Sequence, residues 1–274
     1  MMRQMLSRRI VLMKLPVCLT ALLVFSALLE SAQAQPTPKK AFEVEKIPDG
    51  LLIAAAPELA GKTKPWVWYA PDNLLAGEAE RWMVEQFLAA GISAAGGGGG
   101  YGGPGAIKRM NAFYTEMTEK RGYSKKPIML ARSRGGLTCL GWAVEHPDKV
   151  SAFAGIYPVC NLLGWSDVGL GAYGLKKDSS PEQLKEFNPV DRLKGLAEAK
   201  VPLFAVHGDN DKAVPLELNS GLLKERYTAL GGTMQLLVAP GAPHGIWKRE
   251  GVQGDGFFRC QELVDFVKTH AKSK

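Results

Sequence analysis

The stretch PIMLARSRGGLTCLGWAVEHPDKV, Pro127–Val150, decides how this chain folds. Pro127–Ala131 is a short apolar run of the length of a buried strand. Gly135–His146 reads as a helix, stopped by Pro147. Between them lies Ala131-Arg132-Ser133-Arg134-Gly135. Strand, tight turn and helix are the context in which the pattern G-x-S-x-G carries nucleophilic chemistry, with Ala131 replacing the first glycine. The turn needs small residues two places before and after the serine, so that strand and helix can approach. The helix N-terminus behind Ser133 stabilises negative charge, and the Arg134 amide can donate to an oxyanion.

Strand-like and helical patterns alternate outward from this stretch. Leu51–Ala56, Trp66–Ala70, Ile92–Ala95, Val150–Tyr157, Pro202–Gly208 and Met234–Ala239 read as strands. Glu78–Gly91, Ala106–Gly122, Leu216–Leu230 and Phe257–Ala271 read as helices. Strands that are continuous apolar runs, separated by helices, predict an α/β fold with a mostly parallel sheet covered on both faces. Residues 35–274 are expected to form one domain. Cys160–Phe187 is irregular and long for a connection, and is expected to form a cap over the pocket.

A serine hydroxyl is a poor nucleophile without a base. PLFAVHGDNDKAVP places Asp211 just beyond a predicted strand, and MQLLVAPGAPHGIW places His244 in a loop beyond the last one. Asp209 competes as the acid, but Asp211 fits the register H-G-x-x-D-x-x-V-P better. His207 reads as structural, bonding backbone; His146 reads as a helix cap and His270 as a solvated residue. Each of these residues alone is more often structural than catalytic. Serine, acid and histidine in that order, each beyond a predicted strand, reverse the judgement.

Ser133, Asp211 and His244, with HGDNDKAVP and GAPHG around the last two, resemble the α/β-hydrolase superfamily from about Lys64 onward. The similarity is to esterase, dienelactone-hydrolase and prolyl-oligopeptidase-type catalytic domains. The resemblance implies that Asp211 orients His244, that His244 takes the proton of Ser133, and that an acyl-enzyme forms and is hydrolysed. It implies one oxyanion donor from the Arg134 amide and a second from Tyr69 or Ala70. It implies no metal and no organic cofactor. The expected reaction is hydrolysis of carboxylic esters, including acyl or uronoyl esters on carbohydrate. The alternatives are a prolyl-oligopeptidase-type peptidase and a non-catalytic binding protein on a hydrolase scaffold.

Loops facing the C-terminal ends of the strands are expected to carry the substrate site, with Trp68, Tyr101, Trp165, Tyr173 and Trp247 as candidate stacking residues. Lid packing is the competing reading of these aromatics. Ser133-Arg134 also resembles glucuronoyl esterases; the Arg134 side chain either favours a carboxylate-bearing substrate or pairs on the surface with a nearby acid. The tract GGGGGYGGPG, Gly96–Gly105, contains G-x-G-x-x-G, but it is not in the first βα unit and no acid follows at the spacing a ribose needs. It is expected to be an unusually mobile loop.

The remaining readings concern export, charge and thiols. Arg3, Arg8, Arg9 and Lys14 precede the apolar run Leu15–Leu29 and the sequence Ala32-Gln33-Ala34, which predicts a signal peptide over 1–34 and an exported, periplasmic or secreted protein. SRRIVLMK also resembles a twin-arginine signal. The formal charge is +7, and removing the net +3 of residues 1–34 leaves +4 over 240 residues. That is weak grounds for a nucleic-acid or membrane partner, so a small-molecule or carbohydrate ester is the expected partner. Cys139, Cys160 and Cys260 lie beyond the leader. Cys139 is expected to be a buried apolar thiol, and Cys160–Cys260 to be the pair that an oxidising compartment could join.

Overall fold

The structure, a computed structural model, describes residues 42–163 and 166–271. The expected signal peptide, the expected start of the domain at residue 35 and Trp165 lie outside the described residues.

Eight strands form one sheet: β1 Glu45–Ile47, β2 Gly50–Ile53, β3 Trp66–Ala70, β4 Ser93–Gly97, β5 Ile128–Arg132, β6 Ala152–Ile156, β7 Leu203–Gly208 and β8 Met234–Ala239. Their order is β1-β2-β4-β3-β5-β6-β7-β8. From β4 to β8 all neighbours run parallel, while β1 and β2 are antiparallel additions at one edge. This is the expected α/β-hydrolase architecture. The sequence shows no periodicity for β1, which carries only three residues and pairs with β2 across the turn at Pro48-Asp49.

Alternation within the apolar strands explains why they are covered twice. In β3, Trp66, Trp68 and Ala70 face one core with Met129, Phe113 and Trp142, while Val67 and Tyr69 face the other with Leu130, Phe87 and Val264. After the single-turn helix α1 Pro57–Ala60, the helix α2 Arg81–Ala89 covers the Val67 face. Helices α3 Pro104–Thr115 and α4 Gly135–Glu145 cover the opposite face. The segment expected as a cap folds into α5 Asp167–Gly171 and α6 Pro181–Phe187, the latter held by a Ser180/Gln183 capping box. Leu162, Leu170 and Tyr173 from this segment pack with Leu137 of α4 and with Val214 in a separate small core. Helices α7 Lys194–Glu198, α8 Ser220–Ala229 and α9 Gln261–Ala271 complete the layers, with α9 beside α2.

Two expectations are corrected here. Cys160 and Cys260 are unpaired and buried in the two opposite cores, so the sheet stands between their thiols. Burial pushes the Cys260 thiol up to about 12, and raises Cys139 and Cys160 further. The glycine tract is packed rather than loose. Its first two residues finish β4, and Gly102 and Gly103 cross so close to Leu137 and Ala172 that a Cβ on either would overlap a carbonyl oxygen. Gly102 also has φ +87°, which favours glycine. Pro104 then opens α3 at its first turn, where a missing N–H costs nothing.

Candidate active site

Ser133 stands at the end of β5 with φ +49°, a left-handed conformation that costs a non-glycine residue energy. Its backbone is over-determined. The Ser133 amide donates to the Ile156 carbonyl at 3.0 Å, and the Ser133 carbonyl accepts from Gly136 at 2.9 Å and Val159 at 2.8 Å. Helix α4 starts so close to β3 that a Cβ on Gly135 would overlap the Ala70 carbonyl, which explains the small residue two places after the serine.

The His244 loop follows β8 and brings Nε2 to 3.0 Å from Ser133 Oγ, across 111 positions of sequence. His244 Nδ1 lies 2.7 Å from Asp211 Oδ2. A carboxylate can only accept there, so Nδ1 carries the ring proton and the Nε2 lone pair faces the serine hydroxyl. Asp211 is buried, and its Oδ1 accepts from the amides of Ala213 at 3.0 Å and Val214 at 2.8 Å. Burial opposes its charge, but hydrogen bonds involving His207, the Val214 amide and His244 outweigh that and hold the carboxyl at about 2. Asp209 serves the backbone instead, its Oδ1 accepting from the Gly241 amide.

His207 has the structural role expected of it. Its Nε2 faces the Val214 carbonyl at 2.8 Å and Asp211 Oδ2 at 3.4 Å, so that nitrogen donates, and Nδ1 accepts from the Ser220 hydroxyl at 2.8 Å. The ring braces the loop that carries the acid.

A family model described as the prolyl oligopeptidase family matches residues 115–274, more than half of the chain, and spans Ser133, Asp211 and His244. The chain belongs to the prolyl oligopeptidase family. This family member has the α/β-hydrolase fold. Solved structures share the fold at low identity. A Mycobacterium tuberculosis puromycin-hydrolyzing peptidase aligns with 88% of the chain at 16% identity and TM-score 0.65, covering 41% of its own length. Porphyromonas gingivalis dipeptidyl peptidase 4 aligns with 84% at 13% identity and TM-score 0.65, covering 36% of its length. Pyrococcus horikoshii acylaminoacyl peptidase aligns with 86% at 15% identity and TM-score 0.60, covering 43% of its length. The chain therefore spans about two fifths of the length of these structures. No curated protein matches its sequence.

In this prolyl oligopeptidase family member the serine opens into a cavity of about 310 Å³. Arg132, Arg134, Tyr157 and His244 line it together with Pro71 and Asn73 of the loop after β3. Among the described residues no carboxylate lines it. Arg134 is the N-cap of α4, where the first amides of a helix lack intrahelical acceptors. Of the two candidates for a second donor, Ala70 directly precedes the cavity-lining Pro71, while Tyr69 is one residue deeper and fully buried.

The structure redistributes the aromatic candidates. Trp68 is fully buried among Trp66, Phe113 and Trp142, and its Nε1 donates to the Gly97 carbonyl, so it cannot touch substrate. Trp247 is buried on the other face of the sheet against Phe257. Tyr173 belongs to the small core under α5 and lines a different cavity with Ile107 and Phe187. Trp68 sits inside a strand that is covered on both faces, so either orientation buries it, and proximity to a loop is too coarse a signal for the other two. Tyr101 alone of the described candidates reaches the rim of the site, its ring 5.4 Å from the Arg134 guanidinium carbon.

Three further site residues carry no signal in the sequence strong enough to single them out. Glu80, at the start of α2, has the sequence context of a solvated charge but is only 1% exposed, accepting from Tyr69 Oη at 2.7 Å and Arg132 Nη1 at 2.7 Å. Arg132 Nε in turn donates to Tyr157 Oη at 3.1 Å. The Tyr157 ring lies 4.5 Å from that of His244 and forms its bed. Placement next to Ser133 is the one available signal for Arg132; nothing in the sequence links it to Glu80, 52 positions away.

Proposed function

We propose that this chain hydrolyses peptide or acyl-amide bonds of short, N-terminally blocked substrates through an acyl-enzyme on Ser133. The observation that carries the reading is the unbroken line Ser133–His244–Asp211 within a chain of the prolyl oligopeptidase family. His244 Nε2 accepts the hydroxyl proton as Ser133 Oγ adds to the substrate carbonyl carbon. The carbonyl oxygen takes the negative charge, facing the amides of Arg134 and Ala70. His244 then gives its proton to the leaving nitrogen, the C–N bond breaks, and water repeats the sequence to release the acid. Asp211, held ionised, keeps the imidazole in the tautomer this requires and stabilises its cation.

Family membership shifts the expected bond from ester to peptide. A cavity of about 310 Å³ suits a substrate of a few residues, and without a lining carboxylate it has no partner for a free peptide amine. Esters share the same acyl-enzyme and are expected to turn over as well, with the better leaving group. The intact triad hydrogen bonds weigh against a purely binding role. We also infer export, with the mature protein beginning at Gln35, which N-terminal sequencing of secreted material checks.

A fluorophosphonate probe should label Ser133, and Ser133→Ala should abolish both labelling and turnover of N-acetyl dipeptides and short aryl esters. Folded wild-type protein that takes no label overturns the hydrolase reading. Turnover of esters with no cleavage of any acyl peptide overturns the peptidase reading alone.

A further inference from the structure

Arg132 has a peculiar arrangement of partners. Its Nη1 donates to buried Glu80, its Nε donates to Tyr157, and the face of the guanidinium lies 4.6 Å from the Phe258 ring centre. Two donor positions and one face are thus fixed, and a planar guanidinium so held has no rotational freedom left. Among the described residues Nη2 has no acceptor, and Arg132 lines the cavity that holds Ser133 and His244. Glu80 is fixed in its own right by the Tyr69 hydroxyl. A purely structural arginine would satisfy its whole fork inside the protein; this one leaves Nη2 without an acceptor among the described residues while lining the cavity of the reacting serine.

The second cation of the cavity points the same way. Arg134 has no carboxylate partner among the described residues and rests on Tyr101. Two guanidinium groups therefore flank Ser133, with Glu80 counterbalancing one of them from beneath and no acid lining the cavity. An uncharged substrate would leave that field unused.

We propose that Arg132 is the substrate anchor of this site and that the preferred substrates carry a carboxylate, which the pre-set Nη2 edge of Arg132 binds with support from Arg134. The inference rests on the hydrolase reading above and names the substrate class for it. Charge-assisted hydrogen bonds to a guanidinium held in place are the strong kind, which sets the expected selectivity at about tenfold or more. Because the anchor acts on binding, the preference should appear in KM more than in kcat.

The test measures protection of Ser133 from a fluorophosphonate by three ligands that differ in the presence and place of a carboxylate: N-acetylalanine, N-succinylalaninamide and the neutral N-acetylalaninamide. One of the two acids should protect at a concentration about tenfold lower than the amide, and which one it is locates the carboxylate on the leaving or the acyl side. Raising the salt should narrow the gap. Arg132→Gln should erase it, and Arg132→Lys should restore part of it. If Arg132→Gln fails to fold, Tyr157→Phe serves instead, since it frees Nε and loosens the fork, and should reduce the gap several-fold. Equal protection by all three ligands in wild-type protein, or a gap that survives Arg132→Gln, overturns the proposal. Failure of Ser133 to react with the probe is a different outcome and counts against the hydrolase reading itself.

Discussion

Replacing Asp211 by Asn removes one charge and reverses one hydrogen bond at the base of the triad. With the amide oxygen kept at the Oδ1 position, the contacts to Ala213 and Val214 survive. The NH₂ group must then face His244 Nδ1 at the 2.7 Å now spanned by the carboxylate. Two donors cannot share that line, so the imidazole proton moves to Nε2 and confronts the Ser133 hydroxyl that it should deprotonate. The expected loss in kcat is about 10⁴-fold, the scale of the same exchange in another Ser-His-Asp enzyme, or about 5 kcal/mol of transition-state stabilisation. Stability should fall too. The carboxyl lies at about 2 instead of its ordinary 3.8, which is worth roughly 2 kcal/mol near pH 7. A depressed carboxylate stabilises the fold fully above its unfolded value, and that contribution is lost as pH falls through about 2. The difference in urea stability between Asp211→Asn and wild type should therefore be present at pH 7 and shrink steadily below pH 4. Fluorophosphonate labelling rates read the catalytic arm, and urea titrations at pH 7 and pH 3 read the other. A variant that labels within tenfold of the wild-type rate refutes the tautomer argument.

Other substitutions separate packing from chemistry. Gly103→Ala drives a Cβ into the Ala172 carbonyl and should cost about 1–3 kcal/mol in urea unfolding, whereas a truly mobile glycine tract would absorb it without loss. Trp68→Ala should cost about 3–5 kcal/mol through its cavity, with the KM of the remaining folded fraction unchanged; a raised KM would return Trp68 to the substrate site. Cys139, Cys160 and Cys260 should all be silent to a thiol reagent in native protein and react together on unfolding, with no disulfide seen on non-reducing gels. Glu80→Gln keeps the shape under Arg132 but removes the buried countercharge, and should lower the melting temperature and slow substrate capture together.

The central strands and long helices, the turn at Ser133 and the choice of Asp211 over Asp209 are legible in the linear sequence, because each depends on local rules: apolar runs, small residues at a tight turn, and a fixed spacing after a strand. Contact between residues far apart is not legible in this way. Trp68 and Tyr101 look alike as aromatics near loops, yet covering of β3 on both faces buries one in the core, while the other stays in a loop beside Arg134. Cys160 and Cys260 look available to each other until the sheet is placed between them. Glu80, Arg132 and Tyr157 form one hydrogen-bonded line although their segments are far apart in sequence. Local propensity names the elements, but the desolvation of a charge or the meeting of a base with its nucleophile is set by burial and distance, and those exist only once the sheet has brought its strand ends together.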